Sequence, residues 1–104
     1  MAFMFVTFFK PDDSMPGEIV LTPDNFTFEV VSFDDTTHGV TSAVSDGLQY
    51  VLIQDPSATT FHYDIGPDPE ATVASPLLVM FTPLNYRIFK LQDGDKISFL
   101  EPTP

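Results

Sequence analysis

Short apolar runs alternate along the chain with clusters of Pro, Gly, Asp, Asn and Ser. The first run, residues 2–9 (AFMFVTFF), is apolar at both parities: Phe3 and Phe5 alternate with Met4, Val6 and Phe8, and Thr7 is its one polar position. A strand of that composition is buried on both sides, either at the centre of a sheet or at an edge that another surface covers. Residues 10–17 form a loop by composition, and 18–22 predict a short strand stopped by Pro23-Asp24. Residues 25–33 alternate most clearly, with Phe26, Phe28 and Val30 on one face and Thr27 and Glu29 on the other.

A polar turn over 34–39 leads to 40–44, whose small residues fit a strand or a helical turn, and 45–47 punctuate again. Residues 48–54 predict a strand with Leu48, Tyr50 and Leu52 on one face, ended by 55–57. Residues 59–65 alternate Phe61, Tyr63 and Ile65 against Thr60, His62 and Asp64. Pro67 and Pro69 stiffen the loop over 66–70, because each ring fixes its φ. The apolar stretch 71–81 contains Pro76, which points to an edge strand or a bulge. Residues 85–101 (NYRIFKLQDGDKISFLE) present two β-rich runs around Gln92-Asp93-Gly94-Asp95, the signature of a β-hairpin. In it Arg87, Phe89 and Leu91 share one face and Tyr86, Ile88 and Lys90 the other.

Eight or nine short strands with turn signals between them predict an all-β fold. The expected architecture is an antiparallel β-sandwich, jelly-roll or Ig-like, or a small barrel. No window sustains a helical apolar period, and no internal repeat or linker divides residues 1–104, so a single domain is expected. The 11 Phe and a hydrophobic fraction of 43% are ample for a core and exclude disorder.

Charge changes this picture most. Four Lys and Arg against fifteen Asp and Glu give 4 − 15 = −11. Most acids are Asp beside Gly, Pro, Asn or Ser, where a short carboxylate caps turns. Direct nucleic-acid binding by a basic patch is disfavoured. Three of the four cations, Arg87, Lys90 and Lys96, fall within 85–101. On the hairpin reading they form one basic patch on an acidic body. Such a subunit can pack head to tail, with charge setting register and the apolar surface of Phe3, Phe5 and Phe8 supplying affinity.

Catalytic signals are weak. The chain has no Cys, which removes disulfides and Cys-based zinc sites, and it lacks G-x-S-x-G, Walker and dinucleotide-binding motifs. His62-x-Asp64 would leave one face of a strand together, the way jelly-roll iron oxygenases present two of three metal ligands. No His follows Asp64, and His38 precedes the pair, so His62 and Asp64 stand as weak metal candidates and no cofactor is expected. Asp64, Asp68, Glu70, Asp93 and Asp95 lack the EF-hand spacing. The N-terminal run has no preceding cation, no small-residue cleavage site and only nine residues before Lys10, too short for a membrane span or a signal peptide. A soluble, non-secreted protein, in a host cytoplasm or a virion, is the expectation.

The sequence therefore points to a non-enzymatic structural or interaction subunit. Its expected partner is protein: copies of itself or a larger particle, with phage and viral decoration, cement or tail proteins as the fold-level analogy. The alternative is an acidic inhibitor that blocks a nucleic-acid-binding groove by mimicking phosphates. A small metal- or carbohydrate-binding jelly roll is the third reading.

Overall fold

A computed structural model describes residues 2–10, 26–44, 49–54, 60–79 and 86–102. They form eight strands: β1 (Ala2–Phe9), β2 (Phe26–Phe33), β3 (Gly39–Val40), β4 (Tyr50–Gln54), β5 (Thr60–Gly66), β6 (Leu77–Val79), β7 (Tyr86–Lys90) and β8 (Lys96–Leu100). The strands make two four-stranded antiparallel sheets, ordered β2-β1-β4-β7 and β3-β8-β5-β6. The all-β sandwich that the alternation predicts is thus the fold. The expected strand over 18–22 and the punctuation at 45–47 and 55–57 lie outside the described residues.

The pairing is nested. β5 pairs with β6, β4 with β7, and β3 with β8, as in one long double ribbon whose tip is β5–β6. Successive pairs of the ribbon fall in opposite sheets, and β1–β2 completes the series beside β4. From β3 to β8 this winding is like that of a jelly roll, with β1 in the place that a strand after β8 would take beside β2. Its consequence is local: from β2 to β5, and again from β6 to β8, each strand lies in the sheet opposite its predecessor.

That consequence corrects the hairpin expected over 85–101. β7 pairs with β4 in one sheet, whereas β8 lies between β3 and β5 in the other. The Gln92–Asp95 turn does close, with Asp95 N–H donating to Gln92 O at 3.0 Å and Gly94 at φ 91°, a left-handed value that favours glycine. The backbone on either side is claimed by other segments. Leu91 N–H donates to Gln49 O (2.9 Å), Gly94 N–H to Val44 O (3.0 Å), and Val44 N–H to Asp95 O (2.8 Å). Leu91 and Ile97 then enter one core from opposite sheets.

Register settles which face is inside. Ala2, Met4, Val6 and Phe8 of β1, Val31 and Phe33 of β2, and Val51 and Ile53 of β4 face Phe61 of β5 and Ile97 and Phe99 of β8. Phe99 is fully buried, with its ring centroid 5.8 Å from Phe33 across the sandwich and 5.6 Å from Phe61 in its own sheet. Tyr63 and Phe89 meet across the two sheets at 6.0 Å. β1 is a central strand, one of the two placements its composition allows, but it is not buried on both sides as expected, because Phe3 is exposed and Phe5 and Thr7 are half-buried; β6, which follows Pro76, is an edge strand.

Each open side of the sandwich is bridged by a charged side chain. On the β2/β3 side the Glu29 carboxylate accepts from Ser42 N–H (2.8 Å) and Ser42 Oγ (3.0 Å). On the β7/β6 side Arg87 Nη2 donates to Val79 O at 3.1 Å. The segment after β3 stays beside β8 through Thr41 N–H to Ile97 O (2.9 Å), and the Thr41 hydroxyl accepts from Ile97 N–H (3.0 Å) where a ladder carbonyl would. Residues 41–44 are therefore an irregular extension of β3 and not a helical turn.

The β2–β3 turn is built on Asp34, whose Oδ1 accepts from Thr36 N–H (2.8 Å), Thr37 N–H (2.6 Å) and Thr36 Oγ1 (3.0 Å). These bonds, the Thr36 N–H first, hold its carboxyl below the usual carboxylate range. The folded pKa lies below the unfolded one, so this stabilisation is present above about pH 4 and is lost as pH falls through the folded value. Asp34→Asn is expected to melt below wild type at pH 7, with the difference shrinking in acid. A gap that persists at the lowest pH at which both still fold would contradict the assignment.

Candidate functional site

The face of the first sheet that points away from the core is built from the opposite parity of the same strands. Register places Phe26, Phe9, Tyr50 and Lys90 in one row across β2, β1, β4 and β7. Phe28, Thr7, Leu52 and Ile88 form the next row, and Val30, Phe5, Gln54 and Tyr86 the third. Ser32 and Phe3 follow on β2 and β1. Phe28 is 55% exposed, Tyr86 53%, Val30 50%, Ile88 41% and Phe3 40%. The exposed apolar area of these five residues is on the order of 450 Å², the size at which a monomer's largest patch is commonly functional.

Two ring contacts shape this face. Phe5 and Phe28 lie 5.8 Å apart with planes tilted by 54°, and Lys90 Nζ stands 5.6 Å over the Tyr50 ring. Among the described residues Lys90 is the face's sole charged one, and no described carboxylate stands on it. The described carboxylates lie elsewhere. Asp34, Asp35 and Glu101 are at the end where Glu101 N–H donates to Asp34 O (3.1 Å), and Asp93 and Asp95 are at the opposite end. Glu29 is on the inner side of β2, and Asp64, Asp68 and Glu70 belong to the second sheet and the segment that follows β5.

The second sheet's outer face is covered over its central strands β5 and β8, while Leu77 and Val79 of β6 and Val40 of β3 stay exposed at its edges. Ala71 N–H donates to Ser98 Oγ (3.0 Å), Glu70 N–H to Asp64 Oδ2 (2.9 Å), and His62 Nδ1 bonds Ser75 O (2.9 Å), which fastens residues 67–76 over β5 and β8. Ser98, Leu100 and His62 are buried beneath this strap. The stripe of Thr60, His62 and Asp64 does lie opposite the Phe61, Tyr63 and Ile65 core face, and its polar atoms serve as anchors for the strap. Among the described residues no three His, Cys, Asp or Glu side chains group as metal ligands.

The remaining sequence candidates divide. Phe3, Phe5 and Lys90 stand on the exposed face. Phe8 points the other way and is buried in the core, a correction that follows from its parity in β1. Arg87 turns inward to Val79 O, and Lys96 sits half-buried on the second sheet, paired with Gly66. Arg87, Lys90 and Lys96 therefore make no single basic patch, because β7 and β8 occupy different sheets.

Phe28, Val30, Tyr86 and Ile88 are the face residues that sequence reasoning did not single out. Their signal is present in β2. Its apolar parity switches between Val30 and Val31, so Phe26, Phe28 and Val30 face out while Val31 and Phe33 face in. A pocket of about 290 Å³ lined by Phe8, Thr27, Phe28, Glu29, Ser42 and Ala43 opens at the β2 edge, with its one carboxylate already bonded to Ser42. No protein-family model, curated protein or solved structure matches this chain. No helix among the described residues is long and apolar enough to cross a membrane.

Proposed function

We propose that the protein is a non-enzymatic structural or interaction subunit that assembles through the outer face of its first sheet, with copies of itself or within a larger particle. The observation that carries this reading is an exposed aromatic and aliphatic face without a described carboxylate on a chain of net charge −11. The contrast with the second sheet strengthens it. There a strap held by His62, Asp64 and Ser98 covers the central strands β5 and β8 and leaves Val40, Leu77 and Val79 exposed at the edges, while Phe28, Val30, Tyr86 and Ile88 stay exposed across the first sheet. Jelly rolls also build viral capsid domains, which supports a virion or particle component by fold analogy alone.

The acidic-inhibitor reading needs carboxylates ranked along one face. The described ones sit at both ends and around the strap, which favours assembly over mimicry. A polysaccharide platform calls for coplanar rings, and the 54° tilt between Phe5 and Phe28 argues against one there. The test is the double variant Phe28→Glu/Ile88→Glu. Both side chains are about half exposed, so the fold should survive with little change in melting temperature. Sedimentation of this variant should fall to the monomer. Unaltered assembly in that variant would contradict the proposal.

A further inference from the structure

The partner for this face can be named more closely, and the argument rests on the assembly reading above. We infer that the occupant is a second copy of the same chain, packed first sheet against first sheet about a two-fold axis that lies between them. Charge is the first argument. Two bodies of net charge −11 repel over most approaches, and burying carboxylates against each other would add desolvation to that repulsion. The rows Phe28-Thr7-Leu52-Ile88 and Val30-Phe5-Gln54-Tyr86 contain no charge at all, so two copies can close on this face with neither cost.

Area and shape agree with charge. Two such faces remove on the order of 1,000 Å² of apolar surface, near the lower limit for a specific interface, before half-buried Phe5, Phe26, Tyr50 and Leu52 are counted. A two-fold contact uses the same patch on both subunits and therefore needs a surface compatible with itself. Four-stranded, uncharged in two of its rows and studded with tilted rings, this one is of the kind that packs sheet on sheet at about 10 Å, as the two sheets inside the sandwich do. Lys90 stands at a corner on edge strand β7 and is satisfied by Tyr50, so it need not be buried unpaired.

The test is the self-association constant of the full chain from sedimentation equilibrium, with Val30→Glu on the face and Leu77→Glu on exposed edge strand β6 as the off-face control. Val30→Glu should raise the dissociation constant at least ~30-fold with the melting temperature preserved, and Leu77→Glu should leave it unchanged. Because the chain has no cysteine, Thr7→Cys gives a single-site probe at the middle of the face, and a short bis-maleimide should link it into covalent dimers. A dimer indifferent to Val30→Glu overturns the inference, since self-association then uses another surface, and leaves the assembly reading standing. A chain that is monomeric at every concentration also overturns it. The broader reading then survives only if the chain joins a larger particle through a contact that Val30→Glu breaks, and it fails if that substitution changes nothing.

Discussion

Phe99→Ala is expected to lower the unfolding free energy by about 3–5 kcal/mol, the usual range for emptying a buried phenylalanine site. Phe99 is fully buried on β8, its ring meets Phe33 of the facing sheet and Phe61 of the neighbouring strand, and its loss opens a void where the two sheets touch. Against a total stability of roughly 5–15 kcal/mol that is a large fraction, and denaturant midpoints or melting temperatures will register it directly. Phe28→Ala, the same chemical change on the outer face, should cost less than about 1 kcal/mol, because the side chain is 55% exposed and rests mainly on Phe5. Equal costs at the two positions would mean that Phe28 is packed as tightly as Phe99, and that the outer face of the first sheet is not the exposed one.

The second large effect is expected at Gly39. The residue opens β3 at the corner where the chain passes from one sheet to the other, and it is buried against β2. A Cβ there would meet the backbone oxygen of Ser32 and Cγ1 of Val31. A backbone carbonyl cannot rotate away as a side chain can, so β2 and β3 would have to separate. Gly39→Ala should therefore destabilise by about 2 kcal/mol or more, beyond what alanine ordinarily recovers in backbone entropy. Gly66→Ala is the matched control. Its Cβ would meet nothing within 4 Å and its φ is not left-handed, so the change should be neutral or stabilising by up to ~1 kcal/mol. Indistinguishable melting temperatures for the two variants would remove the close approach at this corner.

Much of the strand pattern is legible along the chain because period-two alternation follows directly from strand geometry. β1 runs Ala2–Phe9 as its composition predicts, and the Phe61, Tyr63, Ile65 face of β5 is the core face. Alternation sorts side chains into two faces without saying which is inside. In β2 and β4 both parities are apolar, and the sheet buries Val31, Phe33, Val51 and Ile53 while leaving Phe28 and Val30 exposed. The choice depends on what the other sheet supplies, which is a property of pairing between distant strands.

Turn chemistry failed for a related reason. Gln92-Asp93-Gly94-Asp95 makes the turn its residues favour, but a tight turn does not determine whether its flanking strands pair with each other. Here Gln49 and Val44 capture the flanking backbone, and the jelly-roll winding sends β7 and β8 to opposite sheets. The basic-patch expectation fell with the hairpin. Arg87 became a bridge to Val79 O, and Lys90 remained on the surface with Tyr50. His62 and Asp64 were legible as a pair on one strand face. Their role as anchors was not, because the Ser75 and Glu70 backbone groups they bind come from a strap whose path has no sequence period.

The most direct measurement is the sedimentation-equilibrium mass of the full chain as ionic strength is raised. If the apolar face joins two copies of net charge −11, salt screens their mutual repulsion without weakening the apolar contact, and the dimer should tighten as salt increases. A complex that loosens with salt would mean that ion pairs hold it together. A mass that stays at the monomer throughout would mean that the exposed face of Phe28, Val30 and Ile88 does not bind its own kind.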